Sequence, residues 1–401
     1  MRFLINLVIP ILISLQGFYL ESLGFSPPVI FGAILLFCSS ILVVLMGRKF
    51  ISNNWVVLIF YLFSLFVSIL ALLFNQEFYD ENRALGFLLV IVVAVSMVFL
   101  QKYLDIKLIV ISLVFFHSIF FYFQFSAYYV FGIDVDYAHS FTGIAQKGWG
   151  GSYYHEELGK LRRLGGLYNE PGTYSTFIAP LVALAACYIK ESLWSKSVFY
   201  FGLASLILSF STFGLIFSAI IIGLVLYSYK GKDVLYLGAV SLLGVVFAGP
   251  YFYYRFFERA SYGVETGLEF RFYFVEQVYM YLTSGVKEFI FGAGLLLPDL
   301  SGKVAVIAAV NDSSLILYLM LTIGPIATLC LLGFLLYKSI KVGRFSVAAI
   351  TIVLISKASL FWLYTPFLLS LILFAQVGAN SRTKNWFLNN KIVSGAHGEA
   401  L

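Results

Sequence analysis

The chain has 401 residues, of which 61% are hydrophobic and only 11% charged, with a mean hydropathy of +0.94. Soluble domains carry about a quarter charged residues, so these values exclude one and predict an all-α, polytopic integral membrane protein. The formal charge of +6 would point a soluble chain toward nucleic acid; here lysines and arginines retained on the cytoplasmic face explain it, and no nucleic-acid partner is expected.

Hydrophobic runs long enough to cross roughly 30 Å of hydrocarbon as helices recur along the whole length. Twelve spans are expected: 3–20, 27–46, 55–74, 84–100, 108–131, 172–189, 197–210, 213–229, 234–251, 313–337, 345–356 and 359–377. The first follows Arg2 directly and lacks a small-x-small cleavage site, so it reads as a retained span. With Met1 inside, the inner connections collect fifteen of the 26 Lys and Arg, whereas the short outer ones hold only Arg83 and Lys357. This asymmetry places both termini in the cytoplasm. Lys357 reads as a snorkelling residue. Cys38, Cys187 and Cys330 fall in apolar runs, so neither a disulfide framework nor a thiolate metal cluster is expected. The polar tail 381–401 has no apolar period and reads as a flexible cytoplasmic extension.

Two long outer segments, 132–171 and 252–312, break the pattern of short hairpins. The first carries Lys147, Lys160, Arg162 and Arg163 against five acids, the second Arg255, Arg259, Arg271, Lys287 and Lys303 against seven. Cations held outside run against the charge rule, and binding an anion accounts for them. Within the second segment, Glu269–Thr283 reads as an interfacial helix, with Phe270, Tyr273, Phe274, Val278 and Tyr281 apolar and Arg271 and Glu276 on a polar edge. Phe291-Gly292-Ala293-Gly294 marks a turn, and Asn311-Asp312 is expected to cap the following span.

Nucleotide-binding glycine loops, zinc-protease and serine-elbow signatures are absent from the sequence. Asp134-Val135-Asp136 has the form of a metal-holding acidic pair, although solvated loop charge is the more ordinary use of such residues. In the fifth span His117 and Gln124 would share one helical face, either as functional groups or as polar groups satisfied by a neighbouring helix.

The strongest signal runs from Arg162 to Ser175, Arg-Arg-Leu-Gly-Gly-Leu-Tyr-Asn-Glu-Pro-Gly-Thr-Tyr-Ser. Pro171 suits the first position of a helix, with Glu170 or Asn169 as its cap. Free N–H groups there, beside the Arg162 and Arg163 forks, suit a phosphate, and Gly165 and Gly166 permit close backbone approach. A pair of arginines binding lipid headgroups is the alternative.

Together with Ser-Phe-Ser-Thr-Phe-Gly at 209–214, Arg271 in the second outer segment, Phe-Gly-Ala-Gly and Asn-Asp-Ser-Ser at 311–314, this stretch resembles the bacterial O-antigen and capsular polysaccharide polymerases of the Wzy type. The O-antigen ligases share that plan, but they carry a histidine where this chain has Asn311-Asp312. The resemblance implies a metal-independent glycosyltransferase of the bacterial inner membrane that needs no cofactor. A glycan would pass from undecaprenyl diphosphate to the terminal sugar of an incoming lipid-linked repeat unit on the periplasmic side. A regulator of chain length would be a protein partner, and membrane lipid would surround the enzyme. In that frame Arg162, Arg163 and Arg271 hold the diphosphate and Glu170 or Asp312 serves the acceptor hydroxyl. Gly165, Gly166, Tyr168, Asn169, Arg255, Arg259 and Asn311 line the substrate. Ligation to a lipid core and flipping of a lipid-linked oligosaccharide are the competing functions.

Overall fold

The structure, a computed structural model, describes residues 2–15, 18, 26–46, 55–74, 81–143, 162–229, 238, 249, 267–295 and 314–375. Every regular element among them is helical. In chain order they are α1 (Leu4–Ser14, opening with a π-helical turn), α2 (Pro27–Leu45), α3 (Val56–Phe74), α4 (Glu81–Leu100), α5 (Ile106–Tyr129) and the short α6 (Tyr137–Thr142). Then come α7 (Pro171–Ala185), α8 (Leu193–Leu208), α9 (Thr212–Ser228), α10 (Gly267–Thr283) and α11 (Val286–Phe291). The series ends with α12 (Leu315–Ile323), α13 (Pro325–Val342), α14 (Arg344–Ile355) and α15 (Tyr364–Phe374).

Four of these, Pro27–Leu45, Arg83–Tyr103, Ile106–Tyr129 and Pro325–Val342, are long and apolar enough to cross a membrane; the other apolar helices are shorter. Large apolar side chains stand on the outside of the bundle, among them Phe31, Leu45, Phe66, Leu85, Leu88 and Leu329. Water would penalise so much exposed apolar area, whereas acyl chains would not. This agrees with a helical membrane protein. The expected span 234–251 lies outside the described residues apart from Gly238 and Gly249, and so does the tail 381–401.

The centre of the bundle is α7. Every residue in it except Thr173 is buried, and α5, α8, α9 and α14 pack around it. Its sequence explains this position: Gly172, Ser175, Thr176, Ala179, Ala183 and Ala185 are small, so neighbouring backbones approach closely. Pro180 inside the helix leaves one backbone hydrogen bond unmade, a defect that close neighbours compensate inside such bundles.

The expected tenth span, 313–337, is instead two helices, α12 and α13, separated at Gly324-Pro325. Gly324 has φ +78°, and Pro325 supplies no N–H, so the helix cannot run through. The last turn of α12 is closed by the Phe291-Gly292-Ala293-Gly294 turn: Ala293 N–H donates to the Leu321 carbonyl at 2.8 Å and Gly294 N–H to that of Thr322 at 2.8 Å. Two otherwise orphaned helix-end carbonyls are thereby satisfied. The contact requires two glycines. A Cβ on Gly292 would lie 2.6 Å from the Gly324 nitrogen, and one on Gly324 2.4 Å from the Ile290 carbonyl oxygen.

The cap of α12 differs from expectation as well. Ser314, not Asn311-Asp312, occupies the position, and its hydroxyl accepts from Leu317 N–H at 3.2 Å. Helix α10 begins at Gly267 and buries a single stripe, Phe274, Val278 and Leu282, spaced four apart. Tyr273, counted as apolar area at the sequence level, is half exposed on its other side.

Candidate functional site

At one end of the bundle, α5 finishes, α7 starts, and the turns between α8 and α9 and between α14 and α15 meet them. The Arg162–Glu170 segment lies across this end and is seated on α5. Its seat is the face formed by His117, Phe121 and Gln124. Gln124 Oε1 accepts from Gly166 N–H at 2.8 Å, and its Nε2 donates to the Val135 carbonyl at 2.8 Å, so one side chain ties both ends of the first outer segment to the helix. Gly166 takes φ +56°, and a Cβ there would lie 3.4 Å from Phe121 Cα. The close approach foreseen for a ligand is therefore made to α5.

Tyr168 is 1% exposed. Its ring lies 5.4 Å from that of His117, and its hydroxyl donates to the Ser14 carbonyl at 3.0 Å, at the C-terminus of α1. His117 Nε2 pairs with the Ser14 hydroxyl at 2.8 Å. His117 and Gln124 do share a face, and each bonds to a neighbouring segment, His117 to Ser14 and Gln124 to Gly166 and Val135. Tyr168, expected to line the substrate, is internal structure, and Gly165 is likewise buried.

The two adjacent arginines take different partners. Arg162 forms an ion pair with Asp134 and sits over the Tyr128 ring at 5.0 Å. Its backbone is pinned by the Tyr129 hydroxyl, which accepts from Arg162 N–H at 2.8 Å and donates to its carbonyl at 2.7 Å. Asp134 is 59% exposed and the Arg162 side chain 15%, so water reaches the pair from the carboxylate side. Arg163 is 8% exposed and donates from Nε to the Phe210 carbonyl at 3.2 Å. Phe210 carries φ +50°, unusual for a residue with a side chain. The buried guanidinium braces that conformation.

This joins the Arg162–Ser175 stretch to Ser-Phe-Ser-Thr-Phe-Gly at 209–214. Ser211 caps α9, and Gly214 packs so tightly that a Cβ on it would lie 2.8 Å from Ser175 Oγ. Tyr174 completes the contact by pairing with Ser205 at 2.6 Å.

Glu170 occupies the cap position of α7, accepting from Tyr174 N–H through its backbone carbonyl at 3.0 Å. Its carboxylate does not cap. Lys357 Nζ lies 3.2 Å from Oε1 and 3.3 Å from Oε2, with the two side chains 13% and 24% exposed. Lys357 thus points into the protein; the snorkelling expectation is corrected. On the same turn, Phe361 lies under the Arg83 guanidinium at 5.5 Å, and Arg83 also hydrogen bonds with Tyr318 of α12. The two cations of the short outer connections therefore both reach the turn between α14 and α15. The charge rule that singled out the long-segment arginines applied equally to them. Leu315 N–H donates to the Ser356 carbonyl at 2.9 Å, which brings the start of α12 to that turn too.

Asp136 caps α6 by accepting from His139 N–H at 2.9 Å, so with Asp134 paired to Arg162 each acid of the Asp-Val-Asp motif has a partner. Among the described residues no cluster of three His, Cys, Asp or Glu side chains could hold a metal. Asn169 is half-buried at the segment's end. Arg271 lies within α10, its side chain outside the described set; Arg255, Arg259, Asn311 and Asp312 lie outside the described residues. No family model, curated protein or solved structure matches the chain.

Proposed function

We propose that the chain is a membrane glycosyltransferase that polymerises lipid-linked repeat units. In this reading twelve spans cross the bacterial inner membrane with both termini cytoplasmic, so the end that holds Glu170 faces the periplasm. The observation that carries the proposal is the convergence on that end of three segments far apart in sequence. Arg162 to Ser175, Ser209 to Gly214 and the Lys357 turn bring together the half-buried Glu170–Lys357 pair, the Arg163 guanidinium on the Phe210 carbonyl and the Arg83 guanidinium over Phe361.

The chemistry follows from those groups. A sugar hydroxyl of the incoming unit attacks the anomeric carbon of the donor; the bond from that carbon to the diphosphate oxygen breaks, and polyprenyl diphosphate leaves with the bonding electrons. The hydroxyl proton passes to a carboxylate, Glu170 or Asp312. Asp312 is only two residues before Ser314, whose neighbour Leu315 bonds to the Lys357 turn. Charge developing on the diphosphate is met by Arg162, which exchanges its exposed Asp134 partner for phosphate, and by Arg271. Arg163, committed to Phe210, holds the floor of the site. Asn169, Arg255, Arg259 and Asn311 remain the substrate contacts of this reading.

Deleting the gene in its host tests it. Loss of a polymerase leaves surface glycolipid bearing one repeat unit. Units stranded on the cytoplasmic leaflet would instead identify a flippase, and free polymer unattached to a lipid core would identify a ligase.

A further inference from the structure

The opposite end of the bundle holds a cavity of about 600 Å³. It lies where α5 begins and where the turn after α7 ends. The 24 residues of α5 separate it from the Glu170 end by roughly 36 Å at 1.5 Å per residue. Arg2, Lys102 and Lys107 line it together with Asp105 and Glu191, and Tyr103, Tyr188 and Phe374 supply aromatic wall.

The charges do not cancel evenly. Lys107 is neutralised by Glu191, with Nζ 2.9 Å from Oε2. Asp105 uses Oδ1 to cap α5, accepting from Leu108 N–H at 3.0 Å. Asn6, at the back, is satisfied on both sides: it donates to the Arg2 and Tyr103 carbonyls and accepts from Asp105 N–H. Arg2 and Lys102 form no ion pair among the described residues, and because Asp105 keeps its charge while it caps, three cations against two carboxylates leave the lining at +1.

We infer that this cavity binds an anionic phospholipid, its phosphate between Arg2 and Lys102 and its glycerol and acyl portion along Tyr103, Tyr188 and Phe374. A basic pocket between helix ends is suited to such a headgroup, and the inner leaflet, where the charge asymmetry puts this end, is rich in anionic lipid. The chain beyond Ala375 is the other occupant at hand, but it carries Arg382, Lys384 and Lys391 against Glu399 and is repelled by the same two cations. The inference rests on the orientation taken under the proposed function and not on its polymerase chemistry, so loss of polymerase activity and loss of lipid retention are separate outcomes.

The test uses the full chain purified in neutral detergent, with native mass spectrometry reading bound lipid. Phosphatidylglycerol is expected to be retained in preference to phosphatidylcholine, and Arg2→Gln combined with Lys102→Gln to weaken it roughly tenfold. Both side chains are exposed, so the melting temperature of the lipid-free variant should match the parent. Displacement of the lipid by millimolar inorganic phosphate would show that the two cations read the phosphate alone and would remove the lipid from the proposal. Equal retention of both lipids, or an unaffected double variant, would mean nonspecific annular lipid and overturn it.

Discussion

Replacing Lys357 with methionine keeps most of the apolar stem and removes the ammonium group with its charge and hydrogen bonds. At 3.2–3.3 Å from both Glu170 oxygens, the gross attraction at an effective dielectric constant near 20 is about 5 kcal/mol. Desolvation consumes most of that. Exposed pairs are worth about 0–1 kcal/mol and breaking a fully buried one costs about 3–5 kcal/mol. With its side chains 13% and 24% exposed, the Lys357–Glu170 pair lies between these limits, and about 1–3 kcal/mol is expected. That is roughly 2–5 °C of melting temperature in detergent. The second measurement is polymer length in cells lacking the parental gene. Glu170→Gln should cut polymer about 10²–10⁴-fold if Glu170 rather than Asp312 takes the acceptor proton, that being the contribution of a positioned base. The exchanged pair, Glu170→Lys with Lys357→Glu, should recover melting temperature and leave polymer absent. A Lys357→Met variant that melts like the parent, or an exchanged pair that makes full-length polymer, would refute the reasoning.

Arg162→Lys should shorten polymer, since lysine keeps the charge but not the planar fork that binds phosphate at two points; parental chain length in a gel of extracted glycan would count against Arg162 as a phosphate ligand. Tyr168→Phe removes the donor to the Ser14 carbonyl and leaves it buried without that partner, at a cost of about 1–3 kcal/mol measurable by thermal unfolding. Gly292→Ala drives a methyl group to 2.6 Å from the Leu321 carbonyl oxygen and the Gly324 nitrogen, at the end of α12. It should lower the yield of folded protein, and the neighbouring Ala293→Gly, which preserves the turn's hydrogen bonds, should lower it less.

The start of α7 was legible because the signal is local. A proline with no donor to lose, preceded by a residue with extended backbone, specifies a helix start without reference to the rest of the chain. The face shared by His117 and Gln124 was legible for the same reason, since helical spacing alone sets it. Its use was not: the neighbours that decide it, Ser14 and Gly166, are remote in sequence. Lys357 shows this limit most sharply. A lysine at the end of a span has the same local appearance whether it reaches for water or for a carboxylate, and this carboxylate lies 187 positions away. The break in the expected tenth span is the opposite case. Gly324-Pro325 stands in the sequence, but hydropathy averaged over a long window passes across it. Likewise Asp312 and Ser314 are equally good caps by residue type, and Ser314, with its extended backbone, is the one that precedes the first turn of α12.

The bond from the Tyr168 hydroxyl to the Ser14 carbonyl joins positions 154 apart. A ribosome adding about 5–20 residues per second takes on the order of 10 s to cover that distance. Throughout that interval the last carbonyl of α1 lacks its Tyr168 donor, and insertion machinery or a chaperone must tolerate that helix end until the 162–175 segment emerges. Nascent chains arrested before residue 168 should therefore hand their opening helix to a protease, and chains arrested after α7 should not.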